Sequence, residues 1–133
     1  MLSTEMIVLA LSVLLLVVHI SIQGGAVTRE RGPDWNMGAR DGAQAPLGVM
    51  AGRAARALEN YKETWPALIA LALALAVTGR TGGVGAVGAV VWLAARILYI
   101  PLYLAGIRVW RTLVYVVSMA GLTMMAVRLF TGS

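Results

Sequence analysis

The residues best suited to chemistry stand together in Arg53–Pro66, RAARALENYKETWP, where Arg53, Arg56, Asn60 and Glu63 recur at i, i+3, i+7 and i+10. On a helix all four project from one stripe. Two further sets follow the same periodicity. In AARILYIPLY, Arg96, Tyr99 and Tyr103 fall at i, i+3 and i+7, and in RTLVYVVS, Arg111, Tyr115 and Ser118 fall at i, i+4 and i+7. Guanidinium groups fork onto carboxylates, a glutamate accepts from an ammonium, and an asparagine pairs with an amide. The collection therefore suits an anionic, peptide-like ligand. A thiol on such a ligand, held beside Arg111, would be favoured as its nucleophilic thiolate. The chain has no cysteine, so any thiol chemistry must use a thiol that the ligand brings.

Other chemistries lack their parts. One histidine and no cysteine do not make a metal set, and no metal site is expected. His19 is the only imidazole, and no acid neighbours it on its helix, which removes Ser-His-acid acyl transfer. The net charge of +5 invites a nucleic-acid reading, but the arginines cluster beside apolar stretches and no basic, aromatic-interleaved soluble surface accompanies them. Nucleic acid is not an expected partner.

The elements that must position these residues are membrane helices. With 59% hydrophobic and 13% charged residues, the composition lies far from that of soluble domains. A single domain over 1–133 with four spans, approximately 5–27, 48–78, 85–105 and 110–130, is expected, an all-α integral membrane four-helix bundle. Met6 to Thr28 holds no Asp, Glu, Lys or Arg and is long enough to cross, with Ser3 or Thr4 as its cap. Glu5 and the absence of Lys or Arg before it argue against a signal peptide. His19 and Gln23 share a face near the end of this helix, as either interhelical glue or a ligand contact. Val27 to Leu47 has the turn chemistry of an ordered loop, tied down through Arg40 and Asp41. The Leu/Ala alternation of ALIALALALAV looks strand-like. Helix is nevertheless expected, because an open strand cannot satisfy its backbone in lipid.

Between Arg80 and the charged stripe run the uncharged residues Thr64 to Gly79, too few to cross a core of about 30 Å. Asn60 and Glu63 therefore lie at or inside the membrane boundary. Arg96 sits deep in the third span and needs a partner, and a structural ion pair with Glu63, near the same depth, is predicted. Pro66 and Pro101 are candidate bends. Lys and Arg concentrate in the first and third loops and their helix ends, which puts those loops in the cytoplasm and both termini outside. Arg111 has a plainer alternative role as a positive-inside anchor.

Taken together, RAxRAxxNxxE followed by an aromatic and proline, ARxxYxxxY (Ala95 to Tyr103) and RTxxY (Arg111 to Tyr115) resemble the MAPEG family, the membrane-associated proteins in eicosanoid and glutathione metabolism, and in particular its short bacterial members. The resemblance covers nearly the whole chain. It implies a homotrimer in the bacterial inner membrane, in contact with membrane lipid, with a glutathione site between subunits. Arg53, Arg56, Asn60, Glu63, Tyr99, Tyr103 and Tyr115 would bind glutathione as co-substrate, and Arg111 would be the catalytic thiolate stabiliser. The implied activity is glutathione transferase or peroxidase chemistry on a lipophilic small molecule. The alternative is a non-catalytic lipid-binding or scaffold protein of the same fold. Two departures lower the positive charge of the site: Glu59 where some relatives carry arginine, and Gln23-Gly-Gly ending the first helix.

Overall fold

The computed structural model describes residues 1–42 and 44–132 and is built from helices: α1 (Thr4–Arg31), α2 (Pro33–Met37), α3 (Val49–Val77), α4 (Gly83–Leu104) and α5 (Arg108–Thr131). Three of them, α1, α4 and α5, are long and apolar enough to cross a membrane. The equally long α3 differs because Arg53, Arg56, Glu59, Lys62 and Glu63 crowd its first half, leaving an apolar body only after Pro66. Ser3 caps α1, accepting from the Met6 N–H at 3.3 Å. The expected loop between α1 and α3 contains one short helix, α2. Pro33 at its first position presets the backbone angle and Asp34 suits its positive end.

This connection is held down on several sides. Arg31 Nη2 donates to the Ala45 carbonyl at 2.8 Å, and the Gly48 N–H donates to Glu30 Oε1 just before α3 begins. Arg40 fastens itself to Asn36, at 2.9 Å to the carbonyl and 2.7 Å to Oδ1, while the guanidiniums of Arg31 and Arg40 both lie over the Trp35 ring. Of the two residues expected to tie the loop, Arg40 makes these bonds.

The bundle packs α4 most extensively against α5 and α1 against α3. Tyr61, Leu68, Ala72, Leu75, Ala89, Trp92 and Met125 fill its centre. Outward-facing Leu14, Val17, Ile97, Leu98, Val116 and Val117 leave an apolar exterior, as a lipid-embedded surface requires. Helices α4 and α5 approach closely at Gly88 and Gly121. A Cβ on Gly88 would stand 2.5 Å from the Gly121 oxygen, and one on Gly121 2.6 Å from the Gly88 oxygen. Small residues let helices associate in lipid, where hydrophobic expulsion between them is absent.

One end of the bundle gathers the N-terminus, the α3–α4 turn and the end of α5. Buried Glu5 accepts from the Gly82 N–H at 2.7 Å, Arg128 donates to the Arg80 and Thr81 carbonyls at 2.8 and 3.0 Å, and Arg80 donates to the Leu129 carbonyl. The other end carries the α1–α3 connection and the α4–α5 turn.

Gly121→Ala is expected to destabilise the protein by about 1–3 kcal/mol through overpacking. Gly25→Ala, with nothing within 4 Å of the added methyl, should be neutral or stabilise by up to about 1 kcal/mol. Thermal unfolding of both variants in one detergent checks the contrast, and equal melting temperatures would remove the close approach.

Candidate functional site

Helical periodicity on α3 brings Arg56, Glu59, Asn60 and Glu63 to one face. α4 sets Tyr99 and Tyr103 opposite, and the first turns of α5 add Arg111, Thr112 and Tyr115. These residues line an open cavity of about 440 Å³. Its aromatic wall is continuous: the Tyr99 centroid lies 5.5 Å from that of Tyr103 and 6.4 Å from that of Tyr115. Arg111 lies with its guanidinium carbon 4.5 Å from the centroid of Tyr103, a cation–π contact that orients the head group without consuming its donors. Ser118, one turn beyond Tyr115, is buried and donates to the Tyr115 carbonyl at 2.6 Å. It does not line the cavity.

Seven of the residues expected at the site meet here: Arg56, Asn60, Glu63, Tyr99, Tyr103, Arg111 and Tyr115. Arg53 does not line the cavity. Its Nη1 donates to the Leu104 carbonyl at 3.0 Å, at the end of α4, and its guanidinium lies against Gly106. Gly106 has φ +74, and a Cβ there would come within 2.6 Å of Arg53 Nη2, so the turn and the arginine are fitted to each other. Arg53 thus closes a helix end, one turn outside the stretch of α3 that faces the cavity.

The predicted Arg96–Glu63 ion pair is replaced by a different contact. Arg96 Nη1 donates to Asn60 Oδ1 at 2.8 Å, and the one ion pair among the described residues joins Lys62 to Glu59 at 2.9 Å. The physical reason is azimuth: Arg96 is wholly buried, Asn60 half-buried and Glu63 exposed, so the bundle interior presents the amide and not the carboxylate. The rings of Tyr99 and Tyr61 cover Arg96 at 4.3 and 5.4 Å from its guanidinium carbon.

Two lining residues were not among those expected, Glu59 and Thr112. The signal for Glu59 was present, because Arg56, Glu59 and Glu63 repeat at i, i+3 and i+7 as well as the stripe through Asn60 does. Thr112 lies three residues before Tyr115 on the same face. His19 is buried away from the cavity, its ring 4.8 Å from that of Tyr61, in a polar cluster where Tyr61 donates to the Ser12 carbonyl and Trp65 Nε1 to Ser12 Oγ at 2.9 Å. The ring of His19 packs across to α3 while its Nε2 has no hydrogen-bond partner, so the contact to α3 is one of ring packing and not the hydrogen bond of the interhelical-glue reading. Gln23 lines a separate cavity of about 340 Å³ beside Trp35, Asn36 and Arg40.

The profile of the MAPEG family matches residues 7–131 of the chain. The chain belongs to the MAPEG family. No curated protein and no solved structure matches it. Membership makes this a membrane protein of a family tied to glutathione and eicosanoid metabolism, and the helical bundle with three span-capable helices agrees with it. In this MAPEG chain the match runs through α3, α4 and α5 and so takes in every residue of the cavity.

Removing the Arg53 clamp should cost stability and little else. Arg53→Gln is expected to lower stability by about 1–2 kcal/mol, since a carbonyl loses its charged donor, whereas Arg56→Gln at the exposed cavity edge should leave the melting temperature within about 1 °C. Parallel melts decide it, and equal losses in the two variants would count against the helix-end role.

Proposed function

We propose that this protein is a membrane-embedded glutathione-binding enzyme that joins a glutathione thiolate to, or uses it to reduce, a lipophilic electrophile arriving through the bilayer. The observation that supports this most directly is the meeting of Arg56, Asn60, Glu63, Arg111 and three tyrosines in one cavity, contributed by three helices. The donor set fits the ligand's chemistry. Arg56 and the Asn60 amide suit glutathione's carboxylates and peptide carbonyls, Glu63 suits its ammonium, and Tyr99, Tyr103 and Tyr115 supply hydroxyls and flat apolar walls. Arg111, oriented by Tyr103 on the cavity wall, is the group proposed to hold the sulfur as thiolate. In that role the thiolate attacks the electrophilic carbon, its electron pair forms the new C–S bond, and the displaced group departs as an anion with the electron pair of its broken bond to that carbon; in the reductive alternative two glutathione thiols give up two electrons and two protons and become the disulfide. Arg111 compensates charge and transfers no proton.

The site is proposed to be shared in a homotrimer, because the cavity is open and the outward faces beside it are apolar. On this reading α3 crosses the inner membrane as the fourth span, at about 1.5 Å per residue long enough to keep its charged half at the cytoplasmic boundary. The Arg-rich α1–α3 and α4–α5 connections then face the cytoplasm and both termini lie outside. A non-catalytic lipid-binding role is favoured by one observation, the two carboxylates Glu59 and Glu63 on the cavity wall, of which Lys62 engages only Glu59.

The test begins with calorimetric titration of glutathione into the detergent-solubilised protein, whose mass should be that of a trimer. Arg111→Ala should then lower conjugation of a model aryl halide by about 30- to 1000-fold, the loss expected when one donor to a charged nucleophile is removed. Glutathione affinity should change far less, because Arg56 and Asn60 remain. Equal turnover and equal thiolate absorbance in the two proteins would leave Arg111 as a membrane anchor and favour the non-catalytic role.

A further inference from the structure

Among the described residues Arg96 is the one fully buried cation, and no carboxylate of these residues comes within 4.0 Å of it. Its Nη1 donates to Asn60 Oδ1 at 2.8 Å, while Nε and Nη2 are buried with no acceptor at all. Around it stand aromatic rings, Tyr99 and Tyr61. A buried cation in an apolar setting ordinarily recruits an anion, since a π face and one neutral oxygen compensate only part of its lost hydration.

The contact also fixes a chemical identity. A guanidinium has donors only, so the end of the Asn60 amide that meets Arg96 must be its oxygen. The NH2 end of Asn60 is thereby turned away from Arg96, on a half-buried residue that lines the cavity of about 440 Å³. Tyr99, which covers Arg96, lines the same cavity.

We propose that Arg96 is a specificity-determining positioning residue: it locks Asn60 as a hydrogen-bond donor toward the cavity and backs it with a positive charge that no acid among the described residues cancels. The cavity floor then selects an anionic acceptor, a carboxylate or thiolate, and disfavours an ammonium at the same place. This rests on the proposed glutathione site for its ligand, while its electrostatic half stands on the chain alone. An Arg96–Glu63 pair would have had the opposite effect, cancelling the charge and leaving Asn60 free to turn.

Asn60→Asp tests both halves with one isosteric change, giving Arg96 the anion it lacks and removing the donor from the cavity. In detergent without ligand, the variant should melt about 2–6 °C above the wild type, because an unpaired buried charge gains its partner. Its affinity for glutathione should fall about 10- to 100-fold, the loss of a hydrogen bond to a charged group. An Arg96–Asn60 contact of structural importance only would raise stability and leave binding unchanged, and binding within twofold of wild type overturns the proposal. A melting temperature no higher than wild type overturns it too, since Arg96 would then already own a counter-ion, such as a glutamate of a neighbouring subunit. If the wild type binds no glutathione, the glutathione site falls, and the melting comparison alone still decides whether the charge on Arg96 is uncompensated.

Discussion

The structure turns on where one guanidinium can go. Arg96 lies in the middle of an apolar helix, with Trp92, Ala95 and Ile100 buried around it, and every route to water is closed by packing. A cation so placed is tolerated only if neighbouring helices offer it electron density. α3 offers Asn60 Oδ1 and the Tyr61 ring, and α4 itself offers Tyr99 one turn on. These demands set the register of α3 against α4. They also place Tyr61 where its hydroxyl reaches the Ser12 carbonyl and its ring meets His19, so the position of α1 follows from the same contact. A change of one residue in that register would put Glu59 or Tyr61 where Asn60 stands and break the Arg96–Asn60 hydrogen bond.

Three of the other arginines act at helix ends, on backbone oxygens. Arg53 holds Leu104, Arg80 holds Leu129, and Arg128 holds Arg80 and Thr81. Helix C-termini leave carbonyls unsatisfied, and a long side chain with forked donors from a neighbouring helix can close them. Glu5 does the complementary job, taking the Gly82 N–H at the start of α4. A bundle whose described residues form no interhelical ion pair is thus stitched at both ends by side chain to backbone bonds. Its middle relies on close glycine contacts and aromatic packing.

How far the sequence could be followed depended on which coordinate each argument used. Helix existence came from apolar length and from the impossibility of an open strand in lipid, and both hold without tertiary information. The cavity residues on α4 and α5 were legible because a period of 3.6 fixes which side chains share a face. Arg53 shares that periodicity with Arg56 and Asn60, but a stripe gives no sign of where the opposing helix stops, and α4 ends beside Arg53. Depth misled in the same way for Glu63. Residues three apart on α3 are at similar depth, yet Asn60 points toward Arg96 and Glu63 toward the cavity. The α2 turn was hidden by its Gly and Pro, which mark a helix start as readily as a loop.

The missing ion pair changes what the cavity is able to do. Had Arg96 taken Glu63, both charges would have been spent within the protein, and the wall of α3 would have presented only Arg56 against Glu59. With an amide in the carboxylate's place, Glu63 stays at the cavity edge as an acceptor for a cationic group, and the positive charge of Arg96 remains behind Asn60. Two opposite preferences then lie three residues apart on one helix face. A zwitterionic ligand with separated ammonium and carboxylate groups satisfies both, whereas a simple anion or cation satisfies one and meets repulsion or a wasted donor at the other. On the proposed reading, this spacing would orient a peptide thiol along α3 and bring its sulfur toward α5, where Arg111 rests on Tyr103.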